Sequence, residues 1–183
     1  MIAYLNGEFK VKNPAYFIVE CNGVGYQVNI SLNTFSKLQA LDKGKIHTYL
    51  HVREDAQILY GFADESEKNL FISLISVQGV GTNTARMILS SMSPGDLEEA
   101  IRTENDVLIQ RIKGVGPKTA KRLVIDLKDK IGKGTGATEN SFGFGHNTMK
   151  EEALSALAML GFTRQQGEKA IGSAMKLNPT PAN

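Results

Sequence analysis

The chain of 183 residues has one cysteine, no tryptophan and three histidines. The single thiol, Cys21, cannot form an intramolecular disulfide, and the scattered histidines give no spacing typical of metal ligands. No apolar run approaches the length of a transmembrane helix, which is about 20 residues. The first residues lack the basic and apolar regions of a secretory signal. These absences predict a cytoplasmic protein that has no membrane segment, no structural metal and no cofactor.

The positive charge of the chain is concentrated in one region. The formal net charge is only +2, but residues 110–134 contain eight basic and two acidic residues, a net charge of +6. A local basic patch on a nearly neutral protein is typical of contact with a polyanion such as nucleic acid. The alternative is an ordinary solvated helix face.

Residues 1–64 have the composition of short β-strands. Five runs are rich in β-branched and aromatic residues, at 2–5, 17–21, 26–30, 46–52 and 58–62. Asn22-Gly23 is a two-residue hairpin signal, and Asn6-Gly7 predicts another turn. Five short strands in so few residues favour a closed barrel, because closure removes exposed edges. We expect an OB-fold barrel, with an SH3-like barrel as the alternative.

Helical patterns follow from residue 65 onward. Ser93-Pro94 predicts a helix start, and 103–105 interrupts the pattern before a further helix. Residues 132–147 include five glycines and predict a flexible linker. Residues 148–183 predict a small helical domain that begins with a capping box at Thr148 and Glu151. The predicted boundaries are therefore 1–64, 65–131, 132–147 and 148–183.

A sequence repeat at an offset of 35 is the sharpest feature of the chain. Residues 74–88 read LISVQGVGTNTARMI, and residues 109–123 read IQRIKGVGPKTAKRL. A Gly-Val-Gly between two helices predicts a tight turn whose valine packs inward. The turn leaves the first N–H groups of the next helix open to an anion such as phosphate. A helix-packing turn without a ligand is the alternative for a single copy.

The second copy adds cations to this turn. Lys118, Lys121 and Arg122 fall on the first turns of the following helix, an arrangement suited to holding a DNA backbone without reading bases. The segment also resembles part of a nucleotide-binding P-loop. Pro117 stands immediately before the lysine, where that motif requires glycine, so ATP binding is rejected.

These repeats are the helix-hairpin-helix signature of DNA-binding proteins that do not recognise sequence. The opening MIAYLNGE, the segment REDAQILYGF at 53–62 and Leu160-Gly161-Phe162 extend the similarity to the whole chain. The chain resembles the RuvA family of Holliday-junction-binding proteins. The resemblance implies an α+β multidomain fold: an OB-fold barrel at 1–64, a tandem helix-hairpin-helix domain at 65–131 and a small C-terminal three-helix, UBA-like domain at 148–183.

The resemblance also implies a function and partners. Members assemble as homotetramers, or octamers, that hold four-way junction DNA open and square during recombination, repair and the SOS response to DNA damage. Their C-terminal domain recruits the RuvB ATPase motor, and the RuvC resolvase joins a larger complex. The chain itself is then not an enzyme, and it is cytoplasmic and nucleoid-associated when bound. Candidate motor-binding residues are Leu157, Leu160 and Phe162.

The resemblance assigns DNA contacts to both hairpins. The candidates are Gly79, Val80, Gly81, Thr82, Asn83, Arg86, Gly114, Val115, Gly116, Pro117, Lys118, Lys121 and Arg122. The first hairpin has uncharged Thr82-Asn83 where the family often has a basic residue, with Arg86 as a possible substitute charge. We therefore expect the second hairpin to supply more of the electrostatic contact.

Glu54 and Asp55 match the acidic pin of the family, which gathers at the junction centre. Carboxylates repel phosphates, so a ring of them would keep strands from re-pairing there. From the residues themselves, an ordinary charged turn is the alternative. A catalytic role has less support, because adjacent strand residues point to opposite faces.

Two other classes of function stay open from the residues. Tandem hairpins also occur in nucleases and DNA ligases, and a nuclease would need clustered carboxylates for divalent metal. A protein-interaction adaptor whose hairpins only pack is the other class.

Overall fold

The computed structural model describes residues 1–134, 153–154, 156–157 and 160–177. It divides into two compact units, Met1–Ala137 and Thr138–Asn183. The predicted capping box at Thr148 and Glu151, and most of the predicted linker, lie outside the described residues. No helix among the described residues is long and apolar enough to cross a membrane.

The first unit begins with a closed barrel of five strands in the order β1-β2-β3-β5-β4. The strands are β1 (Tyr4–Asn13), β2 (Tyr16–Cys21), β3 (Val24–Ile30), β4 (Lys43–Val52) and β5 (Gln57–Phe62). A simple meander would place β4 beside β3. Instead β5 lies between them and runs parallel to β3, as in the Greek-key order of an OB barrel. The OB prediction is confirmed, and the SH3-like alternative is wrong.

The two predicted turns have different outcomes. Asn22 and Gly23 have φ of 50° and 82° and join β2 to β3, as a two-residue hairpin requires. The turn predicted at Asn6-Gly7 is wrong, because both residues lie inside the ten-residue strand β1. A Cβ on Gly7 would lie 2.1 Å from the carbonyl oxygen of Glu20. Glycine is therefore needed there for close approach of two strands.

The barrel also contains a short helix that the sequence does not predict. Helix α1 (Leu32–Leu38) lies between β3 and β4. The hydroxyl of Ser31 caps it by accepting a hydrogen bond from Thr34 N at 3.0 Å. At seven residues the helix is too short to be stable alone, and its contacts with distant parts of the chain support it.

Five further helices complete the first unit: α2 (Glu65–Ile75), α3 (Thr82–Ser91), α4 (Pro94–Arg102), α5 (Asp106–Gln110) and α6 (Pro117–Gly134). The predicted start at Ser93 is confirmed, since its side chain accepts a hydrogen bond from Asp96 N at 3.2 Å. The predicted break is also confirmed: Glu104 has φ of 55°, and Asn105 caps α5. Helix α6 continues three residues into the segment predicted as linker.

The barrel has its own buried apolar cluster, and one end of it also packs into the cluster of the helices. Tyr60 and Phe62 at the end of β5 belong to the same buried cluster as the helices. Their rings lie 5.1 Å and 5.0 Å from that of Phe71 on α2, which is fully buried. Burying one such side chain contributes about 1.5–3 kcal/mol. This packing holds α2 against the end of the barrel.

In the second unit, the described residues include helix α7 (Arg164–Leu177) and helical residues at 153–154 and 156–157. The turn before α7 contains Gly161, whose φ is 91°. A Cβ on Gly167 would lie 3.1 Å from Leu154 Cδ2 and 3.5 Å from Leu157 Cδ1, so the two helical segments pack closely.

Candidate nucleic-acid interface

The two Gly-Val-Gly turns have the same backbone hydrogen bonds. Val80 N donates to Val77 O and Val115 N to Ile112 O, both at 3.0 Å, while Ala85 N donates to Gly81 O and Ala120 N to Gly116 O, both at 2.9 Å. The sequence repeat is therefore a structural repeat. We call residues 74–88 the first hairpin and residues 109–123 the second hairpin.

The two glycines of each turn have different physical roles. Gly79 and Gly114 have φ of 93° and 90°, a region that residues with a Cβ rarely adopt. Gly81 has an ordinary φ of −84°. A Cβ at Gly81 or Gly116 would meet no heavy atom within 4 Å. The first glycine thus makes the turn possible, and the second leaves the backbone open to an approaching ligand.

The valine of each turn packs inward, as the sequence predicts. Val80 is 5% exposed and Val115 is 6% exposed, and both belong to the helical core. This burial orients each loop so that the glycines and the start of the next helix face outward. Helices α3 and α6 begin directly after the turns, where their first N–H groups lack partners within the helix.

The second hairpin carries exposed cations at this helix start. Lys118, Lys121 and Arg122 are exposed and spaced so that they share one side of α6. Arg122 Nε lies 3.6 Å from Asp126 Oδ2, a surface pair that contributes little. Within the described part of the chain, Lys118 and Lys121 form no hydrogen bond or ion pair. These two ammonium groups are available to a phosphate backbone.

The first hairpin uses its polar side chains differently. The hydroxyl of Tyr60, in the barrel, donates to Thr82 Oγ1 at 2.9 Å. Arg86 Nη1 donates to Ala15 O in the β1–β2 turn at 3.0 Å. Of the predicted contacts at this hairpin, Thr82 and Arg86 are engaged with the barrel, and Asn83 is exposed. The DNA contact assigned to Arg86 stays a prediction.

Glu54 and Asp55 lie at the tip of the β4–β5 hairpin. The turn is closed by Arg53 N, which donates to Ala56 O at 2.8 Å. Asp55 Oδ1 lies 3.3 Å from Arg53 Nε, and its side chain is 71% exposed. The structure therefore presents this acidic pair to solvent, and its place at a junction centre stays a prediction. Among the described residues, no three His, Cys, Asp or Glu side chains are grouped so as to hold a metal ion.

The three candidate motor-binding residues have different environments. Leu160 and Phe162 are 74% and 51% exposed on either side of Gly161. Leu157 is half-buried and faces Gly167 on α7. Packing thus occupies Leu157, whereas Leu160 and Phe162 form an exposed apolar pair. Sequence periodicity does not separate these roles in so small a domain.

Known families match nearly the whole chain. A model described as "RuvA N terminal domain" matches residues 1–61, one described as "SAM-like Helix-hairpin-helix tandem" matches 71–129, and one described as "RuvA, C-terminal domain" matches 148–182. Together with the barrel and the repeated hairpins, these matches confirm the predicted α+β fold class.

Curated relatives are similar over more than nine-tenths of their own length. A protein of Christiangramia forsetii is 50% identical over 98% of this chain and 92% of its own length. Relatives from Cytophaga hutchinsonii and Parabacteroides distasonis are 45% and 44% identical, over 97% and 100% of this chain and 92% and 94% of their own lengths. Each is named "Holliday junction branch migration complex subunit RuvA". These names describe a complex subunit, in agreement with the expectation that the chain is not itself an enzyme.

Proposed function

This chain belongs to the RuvA family, and on that premise we propose that it binds four-way (Holliday) junction DNA as a subunit of a branch migration complex. The observation that carries the proposal is the repeated hairpin. Two identical backbone turns each expose unpaired N–H groups at a helix start, and one of them adds free lysines. Such a surface binds phosphates without reading bases.

The DNA contacts follow from the geometry of the turns. The backbone around Gly79, Gly81, Gly114 and Gly116 approaches a phosphate strand closely, because no Cβ intervenes. At the second hairpin, Lys118, Lys121 and Arg122 neutralise phosphates. At the first hairpin, the backbone and Asn83 make the contact. The buried Val80 and Val115 hold the two loops in shape, and Pro117 begins α6 directly after the second loop.

The acidic pair has the opposite electrostatic effect. Glu54 and Asp55 project at a hairpin tip, where carboxylates from four chains would meet in a tetramer. Close to a junction centre they repel the phosphates of the exchanging strands and direct each strand outward into an arm. Assembly as a tetramer, or an octamer around one junction, is part of the proposal.

The C-terminal unit recruits the motor. Leu160 and Phe162 expose apolar surface, although so small a domain has few apolar side chains with which to build a core. We assign them to the contact with the RuvB ATPase, which supplies the energy for branch migration. Leu157 supports this surface from below by packing on α7. The RuvC resolvase would join the larger complex.

A gel-shift competition tests the proposal. A labelled four-way junction is challenged with unlabelled linear duplex of the same sequence and with single strand, at two salt concentrations, and the mass of the protein in solution is measured. The expected result is a strong preference for the junction by an assembly of four or eight chains. Equal binding to linear duplex, or a monomer without preference, would contradict it.

A further inference from the structure

Glu67 on α2 is fully buried, although glutamate is ordinarily exposed. It is the one charged residue that is buried among those whose side chains the structure describes. It lies on the helix that leads into the first turn, at the joint between the barrel and the helices, and it does not belong to the DNA surface described above. A carboxylate in this position requires partners on both oxygens.

Two hydroxyl groups of the barrel provide these partners. Ser31 Oγ accepts a hydrogen bond from Thr34 N and donates to Glu67 Oε1. Thr34 Oγ1 accepts from Ala63 N at 3.0 Å and donates to Glu67 Oε2 at 2.8 Å. Because a backbone N–H occupies each hydroxyl as an acceptor, both hydroxyl hydrogens are directed at the carboxylate. Only a group that accepts on both oxygens satisfies the two hydroxyls together.

This network is part of a wider attachment of the first hairpin to α1. The side-chain amide of Asn33 donates to Met92 O, at the end of α3, at 2.7 Å. Leu32 N donates to Ser90 Oγ, also on α3, at 3.1 Å. Helix α1 and its capping residue Ser31 thus bind both helices that flank the first turn, α2 and α3. Residues 106–127, which include the second hairpin, make no hydrogen bond or ion pair with the barrel among the described residues.

We propose that Glu67 is a positioning residue: its carboxylate, held by Ser31 and Thr34, fixes the direction in which the first hairpin leaves the barrel and so sets the preference for a four-way junction over linear duplex. The inference rests on the proposed function. A linear duplex needs only a hairpin that binds phosphates. The arms of a junction leave its centre in set directions, so binding them all requires that hairpin and barrel be held in one orientation beforehand.

The protonation state of Glu67 controls the network. Burial raises the pKa of Glu67, and the hydrogen bonds from Ser31 and Thr34 oppose that shift. Lys37 on α1 and Asp64 before α2 are the charged groups that face it; Lys37 lowers the pKa of Glu67 and Asp64 raises it, and they form an ion pair with each other. Protonation makes one carboxyl oxygen a donor and a weaker acceptor, so the hydrogen bond from one of the two hydroxyls is weakened.

The pH dependence of the stability that Glu67 contributes distinguishes a positioning role from a role in folding. Because the pKa is raised in the folded protein, the stabilisation is greatest below the ordinary pKa of glutamate and is lost as pH rises through the folded pKa. Ionisation of Glu67 therefore costs stability, although the ionised carboxylate is the form that accepts hydrogen bonds from both hydroxyls. A neutral replacement of the same shape should still fold.

The test compares Glu67→Gln with Glu65→Gln, which makes the same chemical change at an exposed position on the first turn of α2. Affinities for junction and for linear duplex are measured from about pH 5 to about pH 8, with the melting temperature at each pH. Histidine side chains ordinarily titrate in this window, so each variant is compared with the wild type at the same pH.

We expect Glu67→Gln to have a melting temperature no lower than that of the wild type and an unchanged duplex affinity at neutral pH. Its junction preference should fall by about fivefold or more, the lower end of the usual coupling between two sites. The wild-type preference should fall towards that of the variant as pH decreases, while Glu65→Gln follows the wild type. An unchanged preference in Glu67→Gln, or a parallel fall in melting temperature and both affinities, would overturn the inference.

A second pair of variants keeps the test decisive if Glu67→Gln does not fold. Thr34→Val removes the hydroxyl that joins Ala63 N to the carboxylate, and Thr34→Ser keeps it. The valine variant should lose junction preference and the serine variant should retain it. Equal behaviour of the two would overturn the inference. If the wild type itself shows no junction preference, the proposed function fails instead.

Discussion

The first and second hairpins share one backbone and differ in what their side chains do. Equivalent hydrogen bonds agree within 0.1 Å, and the two leading glycines differ by 3° in φ. Position by position, Asn83 in the first hairpin corresponds to Lys118 in the second, and Gln78 corresponds to Lys113. The first hairpin is attached to the barrel through Tyr60 and Ala15.

This difference shows how the two copies of a duplicated motif can acquire different functions. The turn is defined by two glycines and an inward valine, which leave the outer positions free to vary. One copy has used those positions for attachment to the barrel. The other has used them for positive charge. On this account the first hairpin fixes direction, and the second supplies most of the salt-dependent binding energy.

The largest expected effect tests whether the two turns are equivalent. Gly79→Ala and Gly114→Ala each place a Cβ at a φ near +90°, and each should cost about 1–2 kcal/mol of unfolding free energy. Denaturant titration measures it. The matched control is Gly81→Ala, where φ is −84° and space is open, so stability should be unchanged while DNA binding weakens. Unequal losses of unfolding free energy at the two turns would show that the turns are not structurally equivalent.

Adding a lysine to the first hairpin tests whether the two hairpins differ in DNA binding only because their side chains differ. Asn83→Lys gives the first hairpin the residue that the second has at the equivalent position. Junction affinity should rise, and the slope of log affinity against log salt should steepen by about 0.9, the value for one more neutralised phosphate. Gln39→Lys, which adds the same charge at an exposed barrel position, is the control. Identical slopes for the two variants would show that the first hairpin does not reach phosphate.

The smallest effect concerns Arg86. Its Nη1 bond to Ala15 O predicts a structural role, so Arg86→Ala should lower the unfolding free energy by about 1 kcal/mol and leave the salt slope unchanged. Thermal denaturation and salt titration of binding measure the two quantities. A slope reduced by nearly one unit, with stability intact, would return Arg86 to the DNA surface.

Features that depend on neighbouring residues can be predicted from the sequence. The glycines of the hairpins, the Asn22-Gly23 turn and the Ser93 cap each follow from local backbone requirements. The five-strand barrel follows from strand spacing and from the need to close edges. In each case the physical cause lies within a few residues of the signal.

Features that depend on distant parts of the chain cannot be predicted in this way. The sequence predicts a turn at Gly7, but the reason for this glycine is the carbonyl of Glu20 across the strand pair. Arg86 is 71 residues from Ala15, and Ser31 is 36 residues from Glu67. A single sequence carries no local signal of such pairs. Helical spacing places Glu67 on the apolar face of α2 with Leu70, Phe71 and Leu74, but nothing local in the sequence identifies Ser31 and Thr34 as its partners.

The most direct test of the claim that the second hairpin supplies most of the salt-dependent binding is the double variant Lys118→Ala with Arg122→Ala. The quantity to measure is the salt dependence of its junction binding. The account predicts weaker binding and a slope reduced by nearly two units, about 0.9 for each phosphate that is no longer neutralised. Arg164→Ala with Lys169→Ala removes the same charge from exposed positions of the C-terminal unit and should leave the slope unchanged. A wild-type slope in the hairpin variant would contradict the assignment of these cations to DNA, and with it the central role of the second hairpin.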